Sequence, residues 1–314
     1  MLHPVAITTD MFDYTFRPSR DEKLMLFRRF GFRHVHWCDD WNNERYYTPA
    51  DMAGLGETLA AADVQCIDVH GTATGQARID APRPAGHALY VRLLRNRIEF
   101  CAAVGGDAVV IHPPDQNPRT DWVGRDRLRR TAKALNAVRG LCEKTGVRLA
   151  VENTGHRSGY GLHIIEWFLD HYPPEFVGWC FDSGHANLAG NAARLYAFGD
   201  RLIALHLHDN LGEKDDHQPP FFGTVDWKAT LGFIRGSGYT KPINFEITHR
   251  TEHFAGTMLQ YLRYARERVT GAMRLFSPPR RRGSKGGGSA RGGIRTPRGI
   301  VRSVSDPTTS NVPP

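Results

Sequence analysis

No stretch of this chain is apolar for long enough to cross a membrane, and its opening residues, MLHPVAITTD, lack a basic segment followed by an apolar one. Neither a spanning helix nor a secretory leader is expected, and the cytoplasm is the expected compartment. Cysteine is scarce: five among 314 residues, at 38, 66, 101, 142 and 180, odd in number and without C-x-x-C spacing. That argues against a disulfide framework and a zinc ribbon, and it predicts buried, reduced thiols. No glycine-rich phosphate loop follows the first apolar run, which speaks against a nucleotide-binding doubly wound sheet. Excess charge is also missing from most of the chain. The formal net charge is +8, but eight of the 41 basic residues and only one of the 33 acidic ones lie from Leu275 onward. The first 274 residues are nearly neutral, so composition makes no case for nucleic acid as a partner.

What is present is alternation. Short β-like runs at residues 5–9, 32–37, 64–69, 107–111, 147–151, 177–181, 201–207 and 242–245 alternate with helical patterns. The helical patterns cover 19–30, 49–62, 85–104, 125–145, 162–171, 192–198, 227–236 and 254–269, with a further helical start near Asn187 after a Ser183-Gly184 turn. Strands alternating with helices read as parallel βαβ units. Eight such units in residues 1–274 predict an α/β chain folded as a (β/α)8 TIM barrel. Residues 275–314 are rich in Gly, Arg, Ser and Pro, hold few large apolar groups, and are expected to form a disordered basic C-terminal tail.

In such a barrel the active site lies at the C-terminal strand ends. His70, His112, Glu152, Asp182, His206 and Glu246 stand at or just beyond the ends of six successive runs. His185 follows Asp182 by three residues, and Asp215 and His217 form an Asp-x-His pair in the loop EKDDHQPP. Nitrogen and oxygen donors converging from successive strand ends are the makings of a site for at least one divalent metal ion. His206 and His208, two apart, face the same side of their strand. The deeper His206 is assigned to the metal, and His208 is left to support the site or touch substrate. Trp37, Trp41, Trp122 and Phe222 could wall a sugar ring or simply pack between loops. Lys214 and Arg157 read more readily as solvated charges than as contacts to a phosphate or carboxylate.

Taken together, VHG at His70, IHPP at His112, VENTG at Glu152, FDSGHAN at Asp182 and His185, LHLHDN at His206, DDH at Asp215 and His217, VDW at Asp226-Trp227 and FEIT at Glu246 resemble the xylose-isomerase-like barrel superfamily. That group includes sugar-phosphate isomerases and epimerases and the endonuclease IV type of abasic-site enzyme. Resemblance to the epimerases implies one Mn, Zn, Co or Mg ion held by Glu152, Asp182, His206 and Glu246. It also implies that Glu152 and Glu246 exchange the substrate proton, and that His185 contacts a substrate oxygen, with a small sugar as partner. Resemblance to endonuclease IV implies up to three zinc ions, with His70, His112, His185, Asp215 and His217 as additional ligands. Members often pair, so a homodimer is the implied assembly, although no exposed signature demands it.

The leading expectation is a metal-dependent sugar or sugar-phosphate isomerase/epimerase. The alternatives are a zinc phosphodiesterase acting at abasic DNA, a sugar dehydratase using the same enolate chemistry, and a barrel that only binds carbohydrate. Against DNA stand the near-neutral body and the loop GTATGQ after His70, which offers no bulky side chain to wedge into a duplex. The sugar-enzyme side usually has Gly-x-Gly ahead of VDW. Here that stretch is Phe221-Phe222-Gly223, which leaves the loop geometry to be determined.

Overall fold

Apolar residues dominate the eight strands, as expected when a parallel strand is covered on both sides. A computed structural model describes residues 3–12, 16, 18–73, 75–115, 122–154 and 161–277. The strands are β1 (Val5–Thr8), β2 (His34–Trp37), β3 (Gln65–His70), β4 (Ala108–Ile111), β5 (Arg148–Glu152), β6 (Val177–Asp182), β7 (Leu202–His206) and β8 (Ile243–Phe245). All pairings are parallel, in the order β7-β6-β5-β4-β3-β2-β1-β8. A parallel bridge between Leu207 and Phe245 brings the two ends together and closes the barrel. The expected TIM barrel is thus what the chain forms.

Helices cover the outside: α1 (Arg20–Arg29), α2 (Pro49–Ala61), α3 (Pro84–Ala103), α4 (Arg125–Asn136), α5 (Arg139–Thr145), α6 (Leu162–His171), α7 (Ser183–Ala189), α8 (Ala192–Leu195), α9 (Trp227–Gly236) and α10 (Met258–Phe276). Ser19, Thr48 and Thr257 start α1, α2 and α10 with reciprocal capping boxes, satisfying backbone donors that a helix start leaves open. One apolar shell lies between strands and helices; the barrel interior holds a smaller cluster of Ala108, Val110, Ala150, Cys180, Ile203 and Ala204. All five cysteines are buried and free, as their spacing predicts. No helix among the described residues is long and apolar enough to cross a membrane.

Three local expectations change. The single helix expected over 125–145 breaks between α4 and α5. There Val138 donates to Leu135 three residues back, tightening the turn, and its side chain goes into the core. The Ser183-Gly184 turn is instead the first turn of α7. Asp182 caps that helix, with Oδ1 accepting the His185 N–H at 2.7 Å. The last helix begins at Met258 and runs through Phe276. Residues 278–314 lie outside the described residues, so the tail remains a reading of composition.

Candidate active site

Strand register sets the centre. Glu152 pairs with Cys180, and Asp182 pairs with His206 on the next strand. Glu246 follows β8 and is held to β7 by its N–H donating to Leu207 O at 3.0 Å. One donor atom from each of Glu152, Asp182, His206 and Glu246 lies within 4.8 Å of the others. These side chains are 1%, 0%, 0% and 5% exposed, respectively. His206 Nδ1 stands 3.4 Å from Glu152 Oε1 and 3.1 Å from Glu246 Oε2, yet it hydrogen-bonds neither. The four donors converge on one small buried volume.

Two flanks adjoin this centre. On one, His112 Nε2 and His70 Nε2 approach Glu152 Oε2 at 3.3 and 3.7 Å. His70 Nδ1 donates to its neighbour Gly71 O at 2.7 Å, which leaves the lone pair on Nε2, facing the carboxylate. On the other, His185 Nε2 and His217 Nε2 approach Asp215 Oδ2 at 3.3 and 3.0 Å. His217 Nδ1 donates to Glu246 O at 3.1 Å, so Nε2 is the nitrogen that faces the Asp215 carboxylate. All nine expected ligand-type residues therefore gather at one mouth.

The loop carrying Asp215 and His217 is pinned by an antiparallel bridge between Asp209 and Gln218. Asp209 is itself buried and accepts the Trp227 indole N–H at 2.8 Å. His217 takes a left-handed conformation (φ 48°), strain worth about 1–3 kcal/mol that surrounding contacts must hold. Its ring lies 4.0 Å from that of His208, nearly parallel. His208 is fully buried, not an exposed loop histidine, and its Nε2 bonds Asp182 Oδ2 at 3.2 Å. Phe221 takes the left-handed conformation (φ 67°) where the sugar enzymes' first glycine would stand, and a Cβ on Gly223 would strike the Asn210 carbonyl.

A Cβ on Gly184 would overlap the His208 ring. Gly184→Ala is therefore expected to displace His208 and cost about 1–3 kcal/mol. A urea titration measures this as a lower midpoint at unchanged slope; an unmoved midpoint would mean that the ring has room to yield.

The chemistry of the donors fits a cation. Three carboxylates buried together carry a desolvation cost of several kcal/mol each unless positive charge compensates them. One nitrogen and several oxygens suit a borderline or hard divalent ion. Without such an ion, protons do the compensating. Burial disfavours the charged rings of His206 and His185, but the thiol and carboxyl groups around them (Cys180, Glu246 and Glu152; Asp182, Asp215 and Glu152) raise both well above the ordinary histidine range. His217 is raised to about 10, Asp215 outweighing burial. Burial raises Glu152, Glu246 and Asp215, and the adjacent imidazoles more than reverse it, leaving all three below the ordinary carboxylate range.

Sequence reasoning missed the floor of the site. His36 and Asp68 are cross-strand partners with His36 Nδ1 2.7 Å from Asp68 Oδ1, both buried. Burial raises Asp68, but Lys241 and His36 bring it down to about 2. The available signal was period two: Asp68 lies two before His70 on the same strand face. Cys38 Sγ also points at Glu246 Oε1, 3.8 Å away. Among the suggested aromatics, Trp41 packs by His70 and His112, with ring centroids 5.4 and 5.9 Å away. Trp37 is buried against Tyr47, Trp122 stacks on His163, and Phe222 meets His253. Lys214 is exposed, and Arg157 lies outside the described residues.

A family model described as a xylose isomerase-like TIM barrel matches residues 25–268. The uncharacterized protein y4fM of Sinorhizobium fredii is 32% identical over 248 residues, covering 71% of this chain and 79% of that one. The structure of a D-tagatose 3-epimerase-like protein superposes with TM-score 0.69 at 19% identity, over 87% of this chain and 98% of that one. The IOLI protein with a bound zinc atom gives TM-score 0.69 at 15% identity, over 87% and 99%. At these identities the two structures speak to the fold.

Proposed function

The chain belongs to the xylose isomerase-like TIM-barrel family, and from that premise we propose that it is a divalent-metal-dependent sugar or sugar-phosphate isomerase/epimerase. The observation that carries this is the buried convergence of Glu152, Asp182, His206 and Glu246 donors within 4.8 Å. Epimerases among the structural neighbours, including an L-ribulose 3-epimerase, support the substrate class.

In this reading Glu152, Asp182, His206 and Glu246 hold the ion. When bound, it supplies Lewis-acid polarisation of adjacent substrate oxygens. The other steps belong to side chains. Glu152 enters from β5 and Glu246 from the end of β8, so two carboxylates on separate strands are available at the centre for the proton exchange. One removes the proton alpha to the carbonyl, giving an enediolate; the other returns it to the opposite face or the neighbouring carbon. His185 flanks Asp182 at the mouth and is placed to hydrogen-bond a sugar hydroxyl, while buried His208 supports Asp182 through Nε2. Trp41 offers an apolar wall at the mouth, beside His70 and His112.

The test is solvent exchange. Metal-loaded protein incubated in D2O with ketoses and their phosphates is expected to introduce deuterium at the carbon next to the carbonyl of its substrate, seen by NMR. A loaded enzyme that exchanges no proton across that panel would sink the proposal.

One observation favours a second reading. His70 and His112 face Glu152, and His185 and His217 face Asp215, with Nδ1 of His70 and His217 committed to backbone carbonyls so that Nε2 faces the carboxylates. That is the donor set of a trinuclear zinc phosphodiesterase acting at abasic DNA. Elemental analysis separates the two. About one ion per chain, unchanged in His70→Ala and His217→Ala, belongs to the epimerase; two or three, reduced in those variants and joined by cleavage of an abasic duplex, belongs to the hydrolase.

A further inference from the structure

Beneath the proposed centre the barrel interior is mostly small and apolar: Ala108, Val110, Ala150, Cys180 and Ala204. Against that lining one polar array stands out. Asp68 uses both carboxylate oxygens. Oδ1 accepts from His36 Nδ1 at 2.7 Å, and Oδ2 accepts from Lys241 Nζ at 3.3 Å. Lys241 also donates to Ile203 O at 3.2 Å and pairs with Asp107. The ammonium thus ties together β3, the start of β4, β7 and the approach to β8. His36 and Asp68 are 0% and 1% exposed.

Committing Nδ1–H of His36 to Asp68 leaves the lone pair on Nε2. His36, His206 and Glu246 each bring a donor atom within 4.8 Å of the other two. The His36 ring also meets the His206 ring edge to face, 4.6 Å between centroids, and the His70 ring at 5.9 Å. His206 is therefore backed on its inner side by a ring whose own orientation is fixed at the far nitrogen. A floor that only filled space would be served by more alanine or valine, as on the neighbouring strands. Burying an imidazole and a carboxylate there costs free energy that their mutual pairing must offset.

We propose that His36, oriented by Asp68 and Lys241, is a positioning residue for the His206–Glu246 side of the metal centre, and that it sets that centre's affinity for a divalent cation. This rests on reading Glu152, Asp182, His206 and Glu246 as the metal centre. Outer groups that hydrogen-bond metal ligands typically govern affinity by about 10–100-fold, and His36, which meets His206 through ring packing, is expected within that range.

The experiment is chelator competition with Co2+ and Zn2+ on the full chain, with the visible cobalt spectrum as a second readout. Wild type, His36→Gln, Asp68→Asn, the double variant of these two and Glu152→Ala are compared, with melting of each metal-free protein as a control for folding. His36→Gln and Asp68→Asn are each expected to weaken binding about 10–100-fold and to shift the cobalt bands, with the double variant little worse than either single one. Asp68→Asn preserves volume and one acceptor oxygen, so it carries the test should His36→Gln fail to fold. Unchanged affinity and spectrum in folded variants, with binding lost in Glu152→Ala, would overturn the positioning role and leave the metal centre standing. Wild type that binds neither cation would remove both.

Discussion

Glu152→Ala is expected to purify without its cation and to lose at least about 10³-fold in kcat/KM on whatever sugar the wild type turns over, since proton transfer by a positioned carboxylate alone contributes about 10²–10⁴-fold. Glu152 is the hinge of the site. Its Oε1 faces His185 Nδ1 at 3.2 Å and His206 Nδ1 at 3.4 Å, and its Oε2 faces His112 and His70. Glu152 thus pairs both with the central cluster and with the two histidines of the His70–His112 flank. Glu152→Gln separates its two roles. An amide keeps the shape and an oxygen donor but cannot accept the proton. The glutamine variant should therefore retain more metal than the alanine variant while turning over as poorly. Elemental analysis paired with steady-state kinetics reads both. Alanine protein that keeps wild-type metal and rate would show that Glu152 is neither ligand nor base.

The metal-free protein should be most stable in mild acid, and metal binding should release protons. His185, His206 and His217 are raised from 6.5 in the fold, so what they contribute is complete below pH 6.5 and is lost as pH climbs, for His217 through about 10. Glu152 and Glu246 are lowered from 4.5, and Asp215 from 3.8, so their contribution is complete above about pH 4.5 and fades as pH falls through the lowered values. The two sets overlap fully between about pH 4.5 and 6.5. A divalent ion needs the imidazoles unprotonated, so apparent affinity should rise with pH, about tenfold per unit for each proton displaced. Melting curves at pH 5, 7 and 9, with and without chelator, should show the metal-free melting point falling across this range while the loaded protein changes little. Calorimetry in buffers of different ionisation enthalpy counts the protons. Equal melting points for metal-free protein at pH 5 and 9, with no proton release on loading, would contradict the charge-compensated cluster.

Much of this was legible before any fold was in hand. Strand and helix order follow from local periodicity, because β-branched runs and capped amphipathic segments express their preferences over a few residues. The strand-end donors were readable too: in a barrel every strand points its C-terminal end at the same mouth, so knowing the strands places Glu152, Asp182 and His206 together. The break at Val138 was not readable, because a buried side chain there decides it against a helical pattern that continues on either side. Asp182 could be read as a turn or helix cap, but the start of α7 at Ser183, ahead of Asn187, was not readable, since a turn and a first helical turn share the same Ser-Gly.

The remaining features depend on contacts between residues far apart in the chain. His36 meets Asp68 across a strand register, and Lys241 reaches both Asp68 and Asp107 from near the other end of the chain. His217 is brought to Asp215 and Glu246 by a bridge from Asp209 to Gln218 and by strained backbone. By itself the sequence determined the barrel and the residue types at its mouth, because those depend on short-range pattern. Only the tertiary structure decided which donors converge and what supports them from below, because distance and ring orientation are set by packing across strands that the chain visits at long intervals.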